Sequence, residues 1–308
     1  GGGGVGGLVG PILVRTLGGW LTEYYTWRWV VYINLPFGIL AWLGLAVAVR
    51  ETPLDRQRRF DMMGFAFLAA GIGALQMMLD RGESLDWFAN PEIVIELLLA
   101  VTFLYLFIAH ILTAKHPFVE LHLFSDRNFS IGLICIFMVG IILFATMALL
   151  PPFLQNLLNY PVVDAGYLLA PRGIGTMFAM MLVGRLSGKV DPRHQIAFGL
   201  LLTSFAMWEM TQFNLDISQW DLIRTGITQG FGLGFVFVPM TTISFSTLAA
   251  RYRNDGTALF SLMRNIGSSI GISIVISQLS RNTQANHAAL ADFIDPYRFA
   301  IRQAVEAG

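Results

Sequence analysis

The chain has 308 residues, of which 55% are hydrophobic and only 13% charged, and its mean hydropathy is +0.61. A water-soluble domain carries about 25% charged residues, so this density is too low to clothe a globular surface. The formal net charge of zero gives no sign of a nucleic-acid or acidic partner. The single cysteine, Cys135, sits within an apolar run, which excludes a disulfide framework.

A helix crossing roughly 30 Å of hydrocarbon needs about 20 apolar residues. By that measure the sequence predicts nine spans, at 4–21, 29–49, 62–79, 93–113, 130–150, 165–184, 195–212, 222–248 and 258–278. These runs are continuous rather than alternating, so barrel strands are excluded and the fold class is an all-α polytopic membrane helix bundle. Short connectors such as Arg50-Glu51-Thr52-Pro53 and Asp191-Pro192-Arg193 separate the spans, and a hydrophilic tail is expected over 279–308.

Orientation follows from the basic residues in alternate loops. Loops 50–61, 114–128, 185–194 and 249–257 hold eleven Lys and Arg, whereas 22–28, 80–92, 151–164 and 213–221 hold only Arg28 and Arg81. The first set is therefore assigned to the cytoplasm, and the tail begins outside. The chain opens on Gly1 with no charged segment ahead of its first apolar run. This argues against a signal peptide and for a piece of a longer protein.

Several stretches carry a more specific signal. They are GPILVRTLGGWLTEYYTWRWVVYINLPFG (10–38), RRFDMMGFAFLAAGIGALQMMLDRGESLDWF (58–88), DRNFSIG (126–132), AGYLLAPRGIGTM (165–177), GRLSGKVDPR (184–193), TQGFGLGFVFVPMTTISF (228–245) and LFSLMRNIGSSIGISI (259–274). In order and spacing this set resembles the drug:proton antiporters of the major facilitator superfamily, in their fourteen-span EmrB/QacA branch. The resemblance covers nearly the whole chain except the tail. It implies a major-facilitator-type bundle that is incomplete, with the nine spans similar to spans five to thirteen. Residues 1–49 would be the last two spans of the N-terminal bundle. Residues 50–113 would be two extra central spans with a cytoplasmic linker, 114–278 five spans of the C-terminal bundle, and 279–308 an extracytoplasmic tail.

The same resemblance implies site residues. Gly10, Pro11, Gly18 and Gly19 match the antiporter motif of a Gly-Pro-rich span, although Val14-Arg15 stands where the family has a second Gly-Pro. Gly184, Arg185, Asp191 and Arg193 match a gating loop. In that loop Gly188 replaces a family Asp, and Asp191 is the nearest substitute.

Read from the residues, Arg15, Arg172, Arg224 and Arg264 lie within or at the edge of spans, where hydrocarbon tolerates charge only facing a partner or water. Arg264, with Asn265, Ser268 and Ser269, is the best candidate to face a polar cavity. Arg172 equally fits snorkelling to the interface, and Arg224 reads as interfacial. Gln229, Phe235, Met240 and Met177 are the candidate cavity wall, because aromatics and flexible Met suit bulky lipophilic ligands. Each would serve equally as a core or lipid-facing residue.

Glu96 and Glu209 lie at span edges and are not expected to carry protons. The family's candidate proton-carrying carboxylates lie in spans that would precede this segment. Gly230-Phe231-Gly232-Leu233-Gly234 lacks the preceding strand and the spacing of a dinucleotide loop. The five histidines have no metal-ligand spacing, and no catalytic motif is present, so an enzyme is not expected.

The expected function is secondary active export of lipophilic drugs or other toxic compounds by proton antiport, with this chain a fragment of the transporter. It needs no cofactor beyond the proton gradient. Expected partners are the lipid bilayer and lipophilic small molecules, and similar permeases work with a periplasmic adaptor and an outer-membrane channel. The expected location is the bacterial inner membrane. A non-transporting remnant or scaffold of a decayed transporter gene is the alternative.

Overall fold

The computed structural model describes residues 27–32, 34–48, 60–114 and 117–291. Among the described residues it contains no strand and nine α-helices. These are α1 (Trp27–Tyr32), α2 (Asn34–Ala48), α3 (Met62–Arg81), α4 (Pro91–Thr113), α5 (Arg127–Pro152), α6 (Val162–Leu186), α7 (Pro192–Met210), α8 (Gln219–Ser246) and α9 (Arg253–Ala291). Six of them, α3 to α6 with α8 and α9, are long and apolar enough to cross a membrane. The 19-residue α7 has the length, but its first turn spends it on Arg193, His194 and Gln195. The expected span at 29–49 falls on the short helices α1 and α2, and the one at 4–21 lies outside the described residues.

Local chemistry explains where the helices begin. The Asp61 carboxylate accepts the Gly64 amide at 2.9 Å and caps α3. Asn90 accepts the Glu92 amide, with Pro91 in the first turn of α4 where its missing N–H costs nothing. Asp191 and Pro192 repeat this arrangement at α7. Ser218 opens α8 by accepting the Asp221 amide and donating its own hydroxyl to the Asp221 carboxylate.

Two ends differ from the sequence reading. The span read as ending at 150 continues through Pro151 and Pro152 into a π-helical turn, Phe153–Leu157. Two adjacent prolines remove two donors and crowd the preceding carbonyls. The backbone widens, the Leu158 amide donates to the Phe153 carbonyl five residues back, and left-handed Asn159 ends the segment. The segment read as a tail from 279 is, over its described part, the continuation of α9 to Ala291. At 1.5 Å per residue the 39-residue helix is about 58 Å long, nearly twice the hydrocarbon thickness.

The chain divides into two compact units. In the first, α8 packs against both α6 and α7. The contact is close because it is made at glycines. A Cβ on Gly230 would overlap the Arg172 carbonyl oxygen of α6, and one on Gly232 would lie 2.5 Å from the Thr203 hydroxyl of α7. In the second unit α3 pairs with α4, and the middle of α5 lies against α9. Gly267 and Gly271, four residues apart on α9, meet the backbone of Phe137 and Ile141. This is the small-xxx-small packing that bilayers favour, because lipid tails are as apolar as Leu and cannot drive helices together.

Polarity runs inward. Leu98, Tyr105, Leu112, Leu201 and Trp208 are exposed, whereas Thr203, Thr225, Gln229, Ser244, Ser268 and Ser269 are buried. Thr203 and Ser244 are satisfied within their own helices: Thr203 donates to the Gly199 carbonyl at 2.8 Å and Ser244 to Met240 at 2.7 Å. We expect Gly230→Val to lower the thermal unfolding midpoint in detergent by several degrees, a loss of roughly 1–3 kcal/mol from overpacking. Gly73→Ala, where a Cβ meets nothing within 4 Å, should stay within about 1 kcal/mol of the parent.

Candidate functional site

The residues singled out from sequence fall in several places. Gly10, Pro11, Gly18 and Gly19 lie outside the described residues. The gating-loop candidates sit at the turn between α6 and α7. Gly184 and Arg185 occupy the last turn of α6, and Gly188 has φ +83°, the left-handed region that favours glycine. An Asp at that position would have to adopt a conformation that L residues rarely take. Asp191 uses its carboxylate to accept the Arg193 amide at 2.9 Å, so its role in this geometry is to start α7. The Gln195 amide donates to the Val190 carbonyl at 3.0 Å and fastens the turn from below.

The cavity candidates divide between the two units. In the first, Gln229, Phe235 and Met240 are buried on α8, and Met177 is half-buried on α6. Phe235 packs edge-on to Phe198 of α7 with ring centroids 5.2 Å apart, and lies against Ala179 and Val183 of α6. The structure therefore gives it an interhelical packing role.

Gln229 differs from its neighbours. It is 1% exposed, and neither its amide nitrogen nor its amide oxygen has a hydrogen-bond partner among the described residues. One turn earlier, Thr225 donates to the Glu209 carboxylate of α7 at 3.3 Å, and Glu209 pairs with Arg224 at 2.8 Å. Gln229 thus follows a polar link between α7 and α8, and its unmet groups cost roughly 1–3 kcal/mol.

In the second unit Arg264 is half-buried and Asn265 exposed on α9. The Arg264 Nε is buried without a hydrogen-bond partner, and its carbonyl accepts the Ser268 hydroxyl at 2.8 Å. Arg172, for which snorkelling was an open alternative, is buried on α6. Arg224 is half-exposed and paired with Glu209.

The described helices carry exposed apolar side chains and bury polar groups, among them the Gln229 amide and the Arg264 Nε. The model of the Major Facilitator Superfamily matches residues 1–272. The chain belongs to the major facilitator superfamily. This is a family of membrane transporters, not of enzymes, and its members cross the bilayer many times. Among its relatives, the chain is 35% identical over 298 residues to the fatty acid resistance protein FarB of Neisseria gonorrhoeae, covering 96% of this chain and 59% of that protein. It is 34% identical over 293 residues to the multidrug export protein EmrB of Escherichia coli K12, covering 94% and 57%. It is 26% identical over 277 residues to the colistin resistance protein EmrB of Acinetobacter baumannii, covering 88% and 53%. The chain thus spans little more than half the length of these relatives. The likeness to EmrB-type multidrug exporters read from the sequence motifs is present along nearly all of it.

Sequence reasoning missed the polar cluster at the start of α3 in this superfamily member. Asp61 lies 3.0 Å from His110 Nε2 of α4 through both carboxylate oxygens, and also accepts the Phe118 amide at 3.0 Å. The rings of Phe60, Phe65 and Phe118 pack against one another, with centroids 5.6–5.7 Å apart. The available signal was an Asp immediately before an apolar run.

Burial opposes ionisation of Asp61. The Gly64 amide, the His110 ring and the Phe118 amide outweigh it and hold the carboxyl below its usual range. Because the folded value lies below the unfolded one, about 3.9, the carboxylate contributes stability above that pH. The contribution is lost as the pH falls through the folded value. We expect Asp61→Ala to destabilise the α3–α4 pair by about 1–2 kcal/mol at pH 7. The difference from the parent should shrink as the pH is lowered below about 4, read as thermal midpoints across pH.

Proposed function

We propose that this chain is part of a secondary active transporter that exports lipophilic drugs or other toxic compounds in exchange for protons. The observation that carries the reading is the likeness to a multidrug export protein and a fatty acid resistance protein over 94–96% of the chain. In the first unit aromatic and Met side chains on α6 and α8 give adaptable apolar surface and Gln229 an amide without a partner; in the second, Arg264 holds a buried Nε without one.

In this reading residues 1–49 close the N-terminal bundle, 50–113 contribute the two extra helices, and 114–278 form five spans of the C-terminal bundle. Residues 279–308 lie outside the cytoplasm. The carboxylates that exchange protons belong to segments of the relatives that this chain does not cover. The protein works in the bacterial inner membrane, with a periplasmic adaptor and an outer-membrane channel as its partners. The proton gradient is its energy source, and no bound cofactor takes part.

The test is transport by the complete gene product in everted membrane vesicles loaded with two unrelated lipophilic dyes. A protonophore should abolish export of both. Arg264→Ala should cut export about tenfold, the worth of one hydrogen bond to a charged group, with insertion unchanged. Export that persists without a proton gradient would sink the antiport mechanism. A gene product that inserts but moves no substrate would favour the remnant or scaffold reading, which Val14-Arg15 in the antiporter-motif span already supports.

A further inference from the structure

The second unit carries an open groove of about 400 Å³ that the transport reading does not use. One wall is a stripe of α9 from Ile270 to Arg281, and the other is Leu79 at the end of α3 with Trp87 and Phe88 in the α3–α4 connection. Ile270, Ile274, Ser277, Gln278 and Arg281 recur at three- and four-residue intervals and so share one helix face. Over about 16 Å that face changes from branched aliphatic, through hydroxyl and amide, to guanidinium. An amphiphile shows the same order from chain to head.

The aromatic wall is fixed in place. Asp86 and Trp87 both have left-handed backbones, at φ 56° and 51°. For a residue as bulky as Trp this conformation persists only where its surroundings determine it. Here the indole N–H donates to Glu83 at 2.9 Å. Ser280 of α9 faces the same carboxylate and, with this N–H, holds it below its usual range. Arg281 meets Glu83 only through longer-range attraction and is exposed at the rim of the groove. A Trp and Phe pair beside an Arg at a helix end suits the membrane–water boundary, where amphipathic rings settle. A planar guanidinium there matches a phosphodiester.

Apolar Ile274 and Phe88 are exposed along the groove, in a chain whose surrounding medium is lipid. We propose that the groove seats one phospholipid of the bilayer, with an acyl chain along Ile270, Ile274 and Leu79 and its phosphodiester at Arg281. The lipid ties the α3–α4 connection to the outer half of α9, beside the existing link through Glu83.

The test uses this chain reconstituted in vesicles of phosphatidylethanolamine and phosphatidylglycerol, then extracted in mild detergent. Retained lipid is counted by native mass spectrometry. One phospholipid per chain is expected. Arg281→Gln should lower its retention about tenfold, and Ile274→Trp, which fills the floor while staying apolar, should do the same. Arg127→Gln, an exposed cation at the start of α5, should retain the full complement, with helical circular dichroism the same for all. The proposal is overturned if the parent keeps no phospholipid, or if both groove variants keep as much as the parent. It is equally overturned if added oleate displaces the phospholipid and is held in an Arg281-dependent way, since the occupant would then be a free fatty acid. Lipid retention is read without transport, so its failure leaves the export reading standing.

Discussion

In hydrocarbon a backbone amide has no water to turn to, so every crossing segment must satisfy its hydrogen bonds internally. That constraint makes the described spans helical and also decides how they cohere. Once each helix has satisfied itself, burial of apolar surface no longer favours one helix touching another. Attraction must come from close van der Waals approach and a few polar contacts. The structure supplies the first at glycines: Gly230 and Gly232 let α8 meet α6 and α7, and Gly267 and Gly271 let α9 meet α5. The Gly-rich segment 230–234 is a packing surface, and its spacing follows from the two neighbours α8 must serve at once.

The polar contacts gather near the helix ends. Asp61 joins the starts of α3 and the 117–120 connector to His110 near the end of α4. In the first unit Asp126 caps α5 by accepting the Phe129 amide and takes the Thr247 hydroxyl at the end of α8. That hydroxyl is the largest influence on its carboxyl, which is held below the usual range despite partial burial. At the other end of α3, Glu83 bonds to α9 and to Trp87. Each of these carboxylates caps or flanks one helix while binding a second element. Ends are where such bonds are least costly, because water remains within reach and only part of the desolvation cost applies. The middles of the helices are held by shape and the ends by chemistry.

Much of this was legible in the sequence. Uninterrupted apolar runs placed α3 to α6 and α8 to within a few residues and marked the apolar part of α9, because twenty apolar residues in a row admit one structure in a bilayer. The helix starts followed Asp, Asn and Ser placed before those runs. The two misjudged ends have specific causes. Pro151-Pro152 reads as a terminator, yet a widened turn absorbs it, since the lost donors lie where the helix was about to end. Ser280 to Ala291 is polar enough to read as a tail, but hydrophilicity argues only against lipid contact and not against a helix that has already left the membrane. For the site, residue type was readable and direction was not. Nothing in the sequence distinguishes Phe235, wedged between α6 and α7, from Phe88, which is exposed. Nor could spacing show that Asp61 reaches His110, a contact set by the crossing of α3 and α4.

Gln229 remains the sharpest departure from local consistency. Thr241 and Ser244 of α8 close their hydrogen bonds on the preceding turn, a solution available to a short hydroxyl and not to a long amide. A Leu at 229 would fill similar volume without unmet donors or acceptors, so packing alone does not account for the amide. Sequences that agree with their fold at every other level tend to break local rules where function needs a group held ready. In the export reading proposed above, an unpaired donor and acceptor would give directional bonding to whatever polar group arrives. The same reasoning applies to the buried Nε of Arg264, on a helix where Ser268 and Ser269 close their bonds on the preceding turn. Stability favours removing both groups, and the fold retains them at a cost that helix packing by itself would not require.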